Sequence, residues 1–455
     1  METVCAFANT DGGSLVLGMD DGDKSQGMDR LVGINENREA LDDLERKLRT
    51  HLTPPVTGIR WQRIPFRHRD GVEDHVALLT VGRSPKVHSV TDSGTFMRMD
   101  GGNRHMSAEE STELSFRRGV ISAENAPVAV PLELLDTPTW AEYCDARAFR
   151  TRQDIGARML ALGLAKQTAG GGIQPLVAAV LLFADDPNGV LAAYGQTRAA
   201  IRIFHYAGTE VVPTANPNLV RAPKTIGGPL IRQINAAHRY VLDELARGLV
   251  MAASGFKTQH AYPERVIREA ITNAVVHRDY RLSRDIHIRI FDDRIEVDSP
   301  GQLPGNITPQ TIFRAGSLAR NAVLVSHLRE FPNPPNVDAG EGVRMMLHEM
   351  RAVDLFPPSY AERGDTAIPS VVLTLLNENL PQIWDQVSDW LERNGSISNR
   401  KLTEIAEVDT LRASKMFKRW VQRGLLVKDE SLGRAKTVYR KPPQTQQGLP
   451  GIEDH

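Results

Sequence analysis

The stretch Arg268-Glu-Ala-Ile-Thr-Asn-Ala-Val-Val-His-Arg-Asp-Tyr280 carries the reading of the fold. Glu269, Asn273 and His277 recur every fourth residue, so they share one face of one helix. Val266, Ile267, Ala270, Ile271, Ala274 and Val275 make the opposite, apolar face. The pattern predicts a helix over 264–277, entered after the break at Tyr262-Pro263. A carboxylate and an amide one turn apart suit a divalent cation and its water. The amide oxygen is a hard ligand for magnesium, and the carboxylate can orient or deprotonate the water. The same spacing also fits an ordinary solvated helix face.

Downstream, two strands are predicted at 286–291 and 294–297, turning at Asp292-Asp293. They lead into Asp298-Ser-Pro-Gly301. Further on, Gly340-Glu-Gly342 opens a helix over 343–350, and 370–376 reads as a closing strand. Glycines let a backbone approach phosphate oxygens, and the N–H groups at a helix start attract anions. The order is polar-faced helix, hairpin, Asp…Gly loop, then Gly-x-Gly at a helix start. It resembles the GHKL ATP-binding fold of gyrase-type ATPases, histidine kinases and MutL. The resemblance is strongest to a divergent prokaryotic subfamily labelled RecG-like or as predicted transcriptional regulators. The motifs that carry it are the 268–280 run, Ser299-Pro-Gly-Gln-Leu-Pro304, Ser317-Leu-Ala-Arg320-Asn321 and Gly340-Glu-Gly-Val-Arg-Met345.

That resemblance implies ATP and Mg2+ as ligands. Glu269 would be the water-activating carboxylate and Asn273 the magnesium ligand. Asp298 or the Gly301 loop would sit at the adenine, Gly340 and Gly342 at the phosphates, and Arg320 and Asn321 on the lid side. His277 and Arg278 read equally as helix-end caps or ligand contacts. Two departures bear on the adenine end. Ser299 stands where Asn is usual, and Asp298 is not followed by the full Asp-x-Gly-x-Gly. No Gly-x-x-x-x-Gly-Lys-Ser/Thr loop is present, so a helicase motor has no support.

At the N-terminus, Ala6-Phe-Ala-Asn-Thr-Asp-Gly-Gly13 precedes Leu15-Val-Leu-Gly-Met-Asp-Asp-Gly22. By pattern this is a helix end, a Gly-Gly turn, a buried strand and an acidic turn, which an ordinary α/β connection would also show. It resembles the Schlafen/AlbA-like nucleic-acid-binding domain, whose closing strand and helix match 95–110. Arg98 and Arg104 are the candidate phosphate contacts there, or else solvated loop charges. The family's acidic opening motif would lie upstream of Met1, so cleavage is not expected.

Residues 383–440 read as three helices and a hairpin, the layout of a winged helix. Basic residues crowd 410–441, where only Asp429 and Glu430 oppose them. Such a surplus marks a phosphate-binding surface, although a solvated basic helix or a protein contact would also account for it. Arg412, Lys415 and Arg419 would enter the major groove, with Arg434 and Lys436 on the wing. Leu411, Phe417, Trp420, Val421, Leu425 and Leu426 are the expected core face.

Composition fits this division of labour. The 455 residues balance 55 Lys+Arg against 56 Asp+Glu, so DNA affinity must come from local clusters. Two cysteines exclude a disulfide framework, and no apolar run reaches the ~18 residues of a membrane span. The expectation is a cytoplasmic, non-membrane α/β multidomain protein. Its parts would be an AlbA-like α/β domain at 1–120, a linker at 124–138 and an α/β connecting region at 139–255. A GHKL-type two-layer α/β sandwich at 256–379, a winged helix at 382–441 and a tail from 442 would follow. Within 139–255 the pattern predicts a helix at 146–162, strands at 177–183 and 199–205, and a helix at 231–249. The partners implied are DNA and ATP, with a homodimer by analogy. The leading reading is an ATP-responsive DNA-binding regulator. A DNA-linked ATPase and a scaffold with a silent nucleotide site are the alternatives.

Overall fold

The computed structural model describes residues 1–68, 70–149, 154–194, 199–213, 217–252, 255–260, 262–305, 307–309, 311–316, 318–335, 341–364, 367–379, 383–422, 425–429 and 437–441. Gly340, Arg434 and Lys436 therefore lie outside the described residues, as does the tail from 442. The chain forms two compact units, Met1–Ser122 with Pro304–Asn306, and Ala123–Leu303 with Ile307–His455. No helix among the described residues is long and apolar enough to cross a membrane.

The first unit centres on the helix Glu2–Asn9, buried along most of its length against a three-stranded antiparallel sheet. The sheet runs Gly13–Leu17, Glu73–Val81, Ile59–Arg67, with Leu15, Leu79 and Trp61 in one register row. The Asn-Thr-Asp-Gly-Gly motif has packing work at each step. Asn9 donates to the His88 and Phe96 carbonyls (2.8 and 2.9 Å) and accepts from the His88 N–H (2.9 Å). A Cβ at Gly13 would strike the Phe7 ring at 2.7 Å. Buried Arg118 donates to the Ala8 and Asn9 carbonyls at the helix end (3.2 and 2.7 Å). The edge strand Ile59–Arg67 was not anticipated, because most of it is exposed and Pro65 interrupts its alternation.

In the second unit, among the described residues, six strands form one sheet. Their order is Lys224–Ile226, Ile201–His205, Ile286–Ile290, Arg294–Pro300, Ser370–Leu376, Ser359–Arg363. Ile201–His205 and Ile286–Ile290 are parallel and the other pairs antiparallel. One register row, Ile203, Ile288, Val297, Leu373 and Tyr360, crosses five strands toward the helices Leu230–Glu244 and Glu264–His277. Two strands of the supposed connecting region thus belong to the same sheet as residues 286–376. A parallel pairing across some eighty residues leaves no local signature.

Three further expectations need correction. Val177–Phe183 is a helix, not a strand, and every residue in it is buried. An apolar run buried on all sides has no periodicity to separate the two, and its Ala and Leu content favours the helix. The 146–162 helix is replaced by two helices, Pro138–Ala146 and Ile155–Ala161. The 231–249 helix stops at Glu244, and Ala246–Ala252 pairs with Gly255–His260.

The proline-rich stretch 124–138 is not an exposed linker either. Val128, Val130 and Leu135 are core residues, and Glu124 is 1% exposed. The Glu124 carboxylate accepts from the N–H groups of Val323 (3.0 Å) and Leu324 (2.8 Å) at the start of the helix Ala322–Leu328. Burial pushes its pKa up to about 7, against the pull of those two bonds. A raised carboxyl pKa contributes stability that is full below the ordinary value near 4.5 and is lost as pH rises through about 7. The loss is on the order of 3 kcal/mol. The wild-type Tm should therefore fall between pH 5 and pH 8 by several degrees more than that of Glu124→Gln. Parallel pH curves for the two proteins would remove this assignment.

From Trp384 onward, helices Trp384–Asn394, Asn399–Ala406 and Thr410–Gln422 surround one apolar cluster. They accompany a small antiparallel sheet ordered Ile397–Ser398, Val438–Arg440, Val427–Asp429. Ala413, Phe417 and Trp420 face that cluster. Leu411, expected inside, is 66% exposed, because it lies off the Ala413–Phe417–Trp420 stripe.

Candidate nucleotide site and basic faces

The helix Glu264–His277 starts after Pro263, whose fixed φ suits a helix entry. Its end is held by several side chains reaching its last carbonyls. Asn321 donates to the carbonyls of Val276 (2.9 Å) and Arg278 (2.8 Å). Arg320 donates to the carbonyls of His277 (3.1 Å) and Gln302 (2.6 Å). Arg278 turns away to the carbonyls of Leu282 and Arg284. Arg278, Arg320 and Asn321 are all buried. The His-Arg-Asp-Tyr and Ala-Arg-Asn motifs are thus two halves of one helix-end lock.

The apolar face of the helix is buried, its first turn exposes Glu264 and Arg265, and Glu269, Asn273 and His277 are half-buried along one side. Asn273 Nδ2 donates to Glu269 Oε1 at 3.1 Å, which leaves the amide Oδ1 for a hard cation. The first residue of the helix Gly342–Ala352 lies against Glu269: a Cβ at Gly342 would overlap Glu269 Oε1. Only glycine permits that approach. Among the described residues no side chain caps this helix start, which leaves its first N–H groups as donors an anion could use. Burial pushes the Glu269 carboxyl up, with Asn273 and Arg265 opposing. Burial and Arg320 hold His277 down to about 4, so its ring is neutral at physiological pH. Among the described residues, His277 Nδ1 and the Tyr360 hydroxyl are buried without a hydrogen-bond partner.

Other expected site residues lie elsewhere. Asp298 is in register with His287 and Val372, while its neighbours Val297 and Ser299 face the helices. Strand alternation therefore puts Asp298 on the opposite face of the sheet from Glu269. There it meets Arg284, Arg289 (3.1 Å) and Arg363 (3.6 Å). Burial alone would raise its pKa, but the Arg284 guanidinium, the Ser370 hydroxyl and Arg289 together outweigh burial and hold it below the usual carboxylate range. Gly301, at φ +119, packs on the Asp279 Cβ, and Ser299 donates to the Ala274 carbonyl (2.8 Å). Arg320 and Asn321 serve the helix end, as described above. The structure thus brings together Glu269, Asn273 and Gly342, and leaves Asp298, Gly301, Arg320 and Asn321 outside that group. Sequence reasoning missed Tyr360, whose strand carries no motif.

On the C-terminal helix Thr410–Gln422, Arg412 and Lys415 are exposed. Arg419 bends back to pair with Glu378 at 2.9 Å. In the first unit, Arg104 forms a two-pronged pair with Glu110 (2.7 and 3.1 Å), and Arg98 donates to Asn103 (2.8 Å).

Two family models match parts of the chain. Residues 1–107 match the family model "Schlafen, AlbA_2", and residues 283–369 match the model described as "Putative ATP-dependent DNA helicase recG C-terminal", of the HATPase type. The chain is thus a mixed α/β protein with an AlbA-like domain at its start and an HATPase-like domain in its central sheet. A crystal structure of the DIP2311 protein from Corynebacterium diphtheriae is similar at 18% identity and a TM-score of 0.43, covering 97% of this chain and 85% of that one. No curated protein matches the chain.

Proposed function

We propose that this protein is a DNA-binding regulator whose central domain binds ATP with Mg2+ between the polar face of helix 264–277 and the start of helix 342–352. The observation that carries the reading is the convergence of Glu269, Asn273 and Gly342, with buried polar atoms of His277 and Tyr360 unpaired among the described residues. The residues fit the ligand chemically. Among the described residues, no group of three or more His, Cys, Asp or Glu is gathered to hold a metal by itself. A magnesium ion here would take Asn273 Oδ1 as its protein ligand and complete its shell with phosphate oxygens and water. Glu269 would orient one of those waters. The helix start at Gly342 would receive phosphate oxygens. Titration of the full chain with ATP tests this: binding that depends on magnesium supports the site, and no binding removes it.

For the DNA half, the three helices and small sheet beyond Trp384 support a winged-helix reading, with Arg412 and Lys415 as phosphate contacts. Arg419 is a weaker candidate, because Glu378 already holds it. Each neutralised phosphate contributes close to one unit to the salt slope of duplex affinity. The double variant Arg412→Ala, Lys415→Ala should therefore lower that slope by about two. An unchanged slope would move the DNA contact elsewhere. The AlbA-like domain offers Arg98 and Arg104 as further phosphate contacts, with Arg104 needing to leave Glu110.

A further inference from the structure

We propose that the Tyr360 phenol is a specificity residue of the same pocket, donating its O–H to the terminal phosphoryl group and so distinguishing a nucleoside triphosphate from a diphosphate. This rests on the nucleotide reading above. Tyr360 ends the register row Ile203, Ile288, Val297, Leu373, so its side chain points to the helix side of the sheet, toward Glu269. The ring is fixed by an edge contact with Phe313 (6.0 Å between centroids), and Arg344 donates to the Phe313 carbonyl (3.3 Å). Tyr360 and Glu269 are also coupled electrostatically: burial and the Glu269 charge both push the phenol pKa up, which keeps the O–H protonated as a donor.

The hydroxyl oxygen is buried and has no partner among the described residues. A buried polar group without a partner costs stability, and a phenylalanine of the same shape would avoid that cost. The hydroxyl has a use if a ligand supplies the acceptor. Beside Glu269, Asn273 and an uncapped helix start, the strongest acceptor chemistry is a phosphoryl oxygen.

The test is Tyr360→Phe in the full chain. Calorimetry would compare the β,γ-imido analogue of ATP with ADP, both in magnesium. The variant should lose about 10- to 100-fold in affinity for the triphosphate analogue, as for a hydrogen bond to a charged group, and change little for ADP. Its ligand-free Tm should be unchanged or raised, which a merely structural tyrosine would not give. Equal losses for both nucleotides, or no loss for either, would overturn the assignment while leaving the nucleotide site standing. A wild-type protein that binds neither nucleotide would overturn both.

Discussion

Asn273→Ala should bind ATP about a hundredfold more weakly than wild type in magnesium, and the gap should close in EDTA. The residue has two tasks that alanine cannot perform. Its Oδ1 is the hard oxygen on the cation side, and its Nδ2 holds Glu269 Oε1 at 3.1 Å. Magnesium keeps several waters and takes phosphate oxygens, so losing one protein oxygen weakens the chelate without abolishing it. Losing a partner that orients a metal site typically costs 10- to 100-fold, and losing a ligand as well puts the effect at the upper end. Asn273 is only half-buried and its helix is held from the other face, so the Tm should barely move. Isothermal titration at fixed nucleotide, with and without chelator, separates the cases. An equal loss in both conditions would mean that Asn273 shapes the pocket but holds no cation.

Trp420→Ala should remove duplex binding while leaving magnesium–nucleotide binding in place. Trp420 is 1% exposed and stands between Trp384 (5.1 Å, edge-on) and Phe417 (5.9 Å, edge-on). Phe417 in turn stacks on Tyr439 at 3.8 Å, so a run of four rings ties two helices to the small sheet. Truncating a buried tryptophan costs about 3–5 kcal/mol. The helices beyond Trp384 share one apolar cluster, which also takes in Phe356 and Leu376, and a cluster of that size has little stability to spare. Limited proteolysis should cut within 383–441 in the variant and spare the central sheet. Duplex binding that survives such cutting would assign the DNA contact to another part of the chain.

What could be read from the sequence followed the range of the signal. The helix Glu264–His277 and the strand Ser370–Leu376 were legible to the residue, because a break or turn and a clear periodicity bound each of them. The proximity of Glu269 to Gly342 was legible only through the order of motifs. That Asp298 faces away from Glu269 could not be read, because strand register decides which face a residue takes, and a one-residue difference reverses it. The Arg320-Asn321 motif could be seen, but not that it closes a helix end from forty residues away. Glu124 gave no warning, since a carboxylate in a proline-rich stretch ordinarily reads as solvated. Its partners lie some two hundred residues on.

The most direct test of the pocket is a crystal structure of the full chain with Mg2+ and the β,γ-imido analogue of ATP. The triphosphate should lie between Asn273 Oδ1 and the helix start at Gly342, with Glu269 facing the terminal phosphoryl group. Nucleotide bound elsewhere, with Glu269 still against Gly342 and no ligand between them, would contradict it.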